Sequence, residues 1–146
     1  MDKVKETFFH QLIAFTADVH EVTHTLTKDM KPADITPLQY GILEYLAVSQ
    51  PVTLSEISDC KHMSMPNTSR EISKLCDKHL CEKFDAADDR RKQMIRLSAS
   101  GQAMMDDAFQ RIGERFLERM QGVSQEELRD IQHAMQVLHR SVFYRS

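Results

Sequence analysis

"MSMPNTSREISKLCDKHLCEKFDAADDRRKQMIRLSASG", residues 63–101, changes its hydrophobic period halfway along. Up to Lys78, Thr68, Ile72, Leu75 and Cys76 fall on one face of a helix, and Asn67, Arg70, Lys74 and Lys78 fall on another. Beyond His79 the period shortens to two. "LCEKF" and "QMIRLS" each alternate, Leu80, Glu82 and Phe84 against Ile95 and Leu97, with a polar, charged turn between them, which predicts a β-hairpin.

Working outward, helix starts are well marked. "TPLQ" from Thr36 is a capping box with proline at the first helical position, and "TLSE" from Thr53 and "SQEE" from Ser124 repeat the Ser/Thr-x-x-Glu form. Ser64 and Ser98 are weaker caps. Together with the N-terminal segment they predict helices over 3–29, 36–49, 54–61, 64–78, 99–121 and 125–142. A short helix, a turn, a second helix and a charged hairpin follow one another in the order of a winged helix-turn-helix. The expected fold is therefore mainly α, with a small β-hairpin wing and long terminal helices.

Composition bounds the rest. A chain of 146 residues, 28% charged and 41% hydrophobic, can bury one sizeable core and reads as a single domain. No apolar run approaches the roughly 18 residues of a membrane span, and the N-terminus lacks a signal-peptide pattern, so a cytoplasmic protein with no membrane partner is expected. Three cysteines give no secreted disulfide framework. Residues 60–96 hold nine basic and six acidic groups, a local net of +3, against −5 in residues 1–59 and −1 in residues 97–146. Positive charge thus concentrates in the helix–hairpin segment of a chain whose total is −3, as expected if that face meets a polyanion.

The outer helices carry long apolar stripes, Val4, Phe8, Leu12, Phe15, Val19, Val22 and Leu26 at one end and Leu128, Ile131, Met135, Leu138 and Val142 at the other. Stripes of that length suit a partner chain as well as an internal core, and a homodimer is the expectation. For the second short helix, a role in a DNA major groove makes Ser64, Met65, Asn67, Thr68, Ser69, Arg70 and Lys74 the candidate contacts, Thr68 lying also on the packing face. In the wing the candidates are Asp89, Arg90, Arg91 and Lys92.

"ITPLQYGILEYLA", "TLSEIS", "MSMPNTSREISKL" and "DDRRKQMIRLSASG", followed by a long closing pair of helices, resemble the MarR family of bacterial transcriptional regulators across almost the whole chain. The wing carries most of the weight: family members show Asp-Arg-Arg, a short strand, then Leu-Thr-x-x-Gly, and here Asp89, Arg90, Arg91, Leu97, Ser98 and Gly101 stand in matching places. The chain departs where a glycine usually precedes the hairpin, since His79 stands there. It departs again where basic residues often open the wing, since Phe84 follows Lys83.

The resemblance implies a homodimer of winged helices on double-stranded DNA at a near-palindromic operator, and most often a repressor. Residues 1–30 and 99–146 would form the dimerisation helices and residues 36–98 the DNA-binding region of one domain, 1–146. It further implies release of DNA on binding a small, often aromatic ligand between the dimer helices and the winged region, for which His20, His24, Tyr40, Met104 and Met105 are the candidate lining.

Alternatives to that reading are a winged-helix module that binds protein rather than DNA, and a metal- or redox-responsive regulator of the same fold. His20 and His24 stand at i and i+4, a spacing that can share a metal, but no cysteine or carboxylate completes a set, so no metal site and no cofactor are expected. The family's thiol sensors keep a cysteine near the start of the first helix, whereas here none precedes Cys60. Cys76 and Cys81 read as buried, inert thiols. Only scattered glycines occur, with no phosphate loop, Gly-x-Ser-x-Gly or zinc-hydrolase spacing, and no enzyme is expected.

Overall fold

The structure, a computed structural model, describes residues 2–144; the outermost ends of the expected 1–30 and 99–146 segments lie outside the described residues. Its elements are α1 (Lys3–Thr27), α2 (Pro37–Ser49), β1 (Val52–Thr53), α3 (Leu54–Lys61), α4 (Met65–Asp77), β2 (Cys81–Asp85), β3 (Gln93–Leu97), α5 (Ala99–Arg119) and α6 (Gln125–Leu138). A π-helical turn, His139–Phe143, follows α6 where the sequence pattern predicts a continuous helix to 142. One compact unit runs to Ile112 and a second begins at Gly113.

The marked caps act as read. Thr36 accepts the Gln39 amide and the Gln39 side chain returns to the Thr36 amide, and Thr53 and Glu56 form the same reciprocal pair at the start of α3. Ser64 and Ser124 each accept from the third residue of their helices.

The core lies in the first unit. Ile42, Leu43 and Leu46 of α2, Ile57 of α3, Ile72 and Leu75 of α4, Ile95 of β3 and Met105 of α5 are all essentially fully buried in one cluster. Burial of these side chains, each contributing about 1.5–3 kcal/mol, fixes α2, α3 and α4 around the sheet. No residue of α1 or of α6 is buried. Much of their stripes stays open, with Val4 76% and Met135 57% exposed, while Leu12, Val22, Leu26 and Leu138 are half-buried.

The hairpin has a third strand. β1 pairs antiparallel with β3, Val52 opposite Ile95, giving the order β1-β3-β2. A two-residue strand is too short to show an alternation in sequence. The phase of β2 also differs from expectation: Cys81 stands opposite Leu97 and is buried, while Glu82 and Phe84 pair with Arg96 and Met94 on the outer face. The cause is His79, whose φ of 61° puts a left-handed residue between α4 and β2, so that Leu80 belongs to the turn, its N–H on Leu75 O at 3.0 Å, rather than to the strand. Phe84 instead lies under the Arg96 guanidinium at 4.4 Å, which also pairs with Glu82 at 3.1 Å.

Candidate nucleic-acid interface

A buried polar knot sets the angle between α3 and α4. The Ser58 hydroxyl donates to Leu54 O at 3.0 Å and lies 2.9 Å from the Thr68 hydroxyl, which itself donates to Ser64 O at 2.8 Å. Thr68 is fully buried. It is thereby withdrawn from the candidate DNA contacts: its hydroxyl serves the helix–helix junction, as its place on the packing face required. Met65 remains 46% exposed, with its sulfur 3.1 Å from the Ser58 hydroxyl.

The remaining reading-helix candidates line the open side of the first turns of α4. Ser64, Asn67 and Arg70 are exposed and Ser69 is half-buried. The Ser64 hydroxyl accepts the Asn67 backbone N–H at 3.2 Å, while the Asn67 side-chain Oδ1 accepts from an Arg70 guanidinium nitrogen at 3.3 Å. Further along, Lys74 is exposed and reaches Glu71 at 3.5 Å. The start of the helix therefore presents neutral polar side chains and one forked cation, with no acidic residue in its first turn.

At the wing tip the loop closes through Ala86 N–H to Lys92 O at 2.9 Å and Lys92 N–H to Asp89 O at 3.1 Å. Asp89 uses one oxygen twice: Oδ1 accepts the Arg91 backbone N–H at 2.9 Å and stands 3.4 Å from Arg91 Nε. The carboxylate thus shapes the tip in the manner of an Asx turn and pairs with the Arg91 side chain. The Arg91 side chain is otherwise 93% exposed, and Arg90 and Lys92 are exposed beside it.

Behind the wing, Ser98 donates from its hydroxyl to His79 O at 2.6 Å and accepts the Gly101 N–H at 3.0 Å, so it caps α5. Gly101 is buried against the turn after α4, so closely that a Cβ there would come within 2.1 Å of Leu80 O. The Leu-Ser-x-x-Gly run thus fastens the start of α5 to that turn.

The candidate ligand residues do not gather as a set. His24 and Tyr40 line a pocket of about 600 Å³, together with Thr23 and Thr27 of α1 and Pro37 and Glu44 of α2. Three of the expected lining residues are not in its wall: His20 lies outside it, Met105 is fully buried in the core, and Met104 packs against that core. Apolar side chains at helical spacing cannot be sorted into wall and core from sequence. The Tyr40 hydroxyl is buried without a hydrogen-bond partner. Burial, then the nearby Glu44, push its pKa up, and burial likewise raises the Glu44 carboxyl against the opposing pull of Lys61.

Among the described residues no three His, Cys, Asp or Glu side chains gather where a metal could sit, and no helix is long and apolar enough to cross a membrane. Burial raises the Cys76 thiol and pushes Cys81 up to about 12, whereas Cys60 is exposed.

A capped second helix, a preceding short helix locked to it and a hairpin with a cationic tip define a winged helix-turn-helix. Residues 33–92 match the MarR family model. The HTH-type transcriptional regulator YhbI of Bacillus subtilis is 29% identical over 79 residues, 54% of this chain and 51% of YhbI, so the match spans about half the length of that relative. Among solved structures, a MarR family protein from Bacillus stearothermophilus superposes with a TM-score of 0.75 at 16% identity, covering 95% of this chain and 96% of that one. MepR, a transcription regulator of the Staphylococcus aureus multidrug efflux pump MepA, gives 0.63 at 21% identity, covering 86% and 93%. MepR has also been solved bound to ethidium bromide, and a mutant of it bound to an oligodeoxyribonucleotide. At these identities the structures share the fold. MarR family regulators are not enzymes.

Proposed function

We propose that this protein is a sequence-specific DNA-binding transcriptional regulator, a homodimeric repressor of the cytoplasm that leaves its operator when a small ligand binds. The observation that carries the reading is the first two turns of α4, where Asn67 and Arg70 are exposed beside half-buried Ser69 at a capped helix start, in the one segment of the chain with a positive balance. There Ser64, Met65, Asn67, Ser69, Arg70 and Lys74 read or position in a major groove, while Arg91 enters or borders the minor groove and Arg90 and Lys92 take phosphates.

Residues 36–98 make up this DNA-binding region. The open stripes of α1 and of α6, within residues 1–30 and 99–146, are each covered by a second copy of the chain, which sets two reading helices on the two halves of a near-palindromic site. The ligand takes the pocket walled by His24 and Tyr40. Binding of ethidium bromide, a planar aromatic cation, by MepR, which shares the fold, lends support to a small aromatic ligand.

The test is selection of fragmented DNA from the organism's own genome on the immobilised protein. A recurrent near-palindromic motif is expected. Fragments recovered without a common motif would point instead to a winged-helix module that docks on protein.

A further inference from the structure

We propose that Gln39 is a positioning residue for the reading helix, holding α4 in register with α2 through Glu71; the proposal rests on the reading that α4 enters DNA. Gln39 is only 4% exposed. Its amide is fixed at both ends: Oε1 accepts the Thr36 N–H at 3.2 Å inside the capping box of α2, and Nε2 donates to Glu71 Oε2 at 3.0 Å. A side chain held by its own helix start has little freedom left, so its free end is a fixed donor against the middle of α4.

A second link lies two turns along. Lys78, at the C-cap of α4, donates to Asp34 O at 3.0 Å and pairs with its carboxylate at 3.5 Å. Two anchors on one helix fix its rotation as well as its direction, and rotation decides whether Asn67 and Arg70 face the base edges. The arrangement also accounts for a carboxylate on a helix meant for a polyanion. Glu71 is half-buried and engaged by Gln39 on one oxygen and by Lys74 on the other, adjacent to Arg70 but turned to the protein.

The pair can be inverted chemically. Gln39→Glu sets two carboxylates face to face; Glu71→Gln leaves an amide–amide bond in place; the double variant restores one donor and one acceptor with the charge of the wild type. Affinities for a selected duplex and a scrambled duplex, measured by fluorescence anisotropy, give a specificity ratio for each. Gln39→Glu is expected to lower that ratio about tenfold, and the double variant to return it to within about twofold of the wild type. Should Gln39→Glu fail to fold, Gln39→Met, similar in volume and without polar ends, carries the same expected loss.

Unchanged specificity in the folded single variant, or no recovery in the folded double variant, overturns the proposal alone. A wild type that binds neither duplex overturns the DNA reading beneath it.

Discussion

Replacing Gly101 by alanine sets two effects of opposite sign against each other. In a helix interior alanine is favoured over glycine by about 0.8–1 kcal/mol, so propensity alone predicts a more stable protein. The structure opposes it: the new Cβ would sit 2.1 Å from Leu80 O and 3.0 Å from its carbonyl carbon, where 3.4 Å begins ordinary contact. The obstacle is backbone, so it cannot rotate aside. Relief requires the turn after α4 to retreat by more than about 1 Å from the start of α5, which stretches the Ser98 N–H bond to that same carbonyl, now 3.0 Å, a net loss of about 0.5–1.5 kcal/mol. It also disturbs buried Leu80, at about 1–3 kcal/mol for an overpacked site. The clash wins, and a net destabilisation of about 2 kcal/mol is expected, lowering the thermal midpoint by roughly 4–8 °C. Far-UV circular dichroism at fixed protein concentration reads it, since association shifts the midpoint too. Gly113, in the same helix with nothing within 4 Å of where a Cβ would stand, is the control, and alanine there should raise the midpoint. A midpoint for Gly101→Ala equal to or above the wild type would refute the close-approach argument.

Other expectations follow from single contacts. His79→Gly should stabilise the protein by about 1 kcal/mol, because a left-handed residue with a Cβ is replaced by one without, and an unchanged denaturation midpoint would remove the strain argument. Asp89→Ala should weaken DNA binding by freeing the wing tip, while Asp89→Asn, which keeps an acceptor for the Arg91 N–H, should bind no less tightly than the wild type; tighter binding by Asp89→Ala would contradict the orienting role. Phe8→Asp together with Ile131→Asp, at side chains exposed in the single chain, should yield folded monomers by light scattering, and a wild type already monomeric at micromolar concentration would end the dimer proposal. At mildly alkaline pH an alkylating reagent should take Cys60 first and Cys81 last, since burial keeps the Cys81 thiol protonated until the pH nears its raised pKa; mass spectrometry showing Cys81 modified first would contradict its burial.

What the sequence made legible is what local chemistry decides. Thr36, Thr53, Ser64 and Ser124 announce their helices because a cap and its partners lie within four residues. The Asp89–Arg91 pairing is equally local, two positions apart. Non-local geometry was not. The strand β1 borrows its identity from β3 across more than forty positions, and the phase of β2 turns on one backbone angle at His79. Gln39 shows its capping role in sequence, but its bond to Glu71 spans 32 positions and follows only from packing α4 on α2. Thr68 was ambiguous because a threonine hydroxyl serves a base edge or a buried junction equally well, and only burial chooses between them. Tyr40 and Met105 looked alike as apolar helix positions, yet one walls a pocket and the other fills the core.

The central claim is that the exposed start of α4 reads DNA sequence while the wing tip supplies charge. The most direct measurement titrates a selected duplex and its scrambled counterpart at two salt concentrations with the wild type, Arg70→Ala and Arg91→Ala. The account predicts that the wild type prefers the selected duplex by at least about a thousandfold. Arg70→Ala should lose roughly 1–3 kcal/mol of that preference, and Arg91→Ala should weaken both duplexes alike with a salt slope smaller by about one. Equal affinity of the wild type for both duplexes, or an Arg70→Ala variant with the full wild-type preference, would contradict it.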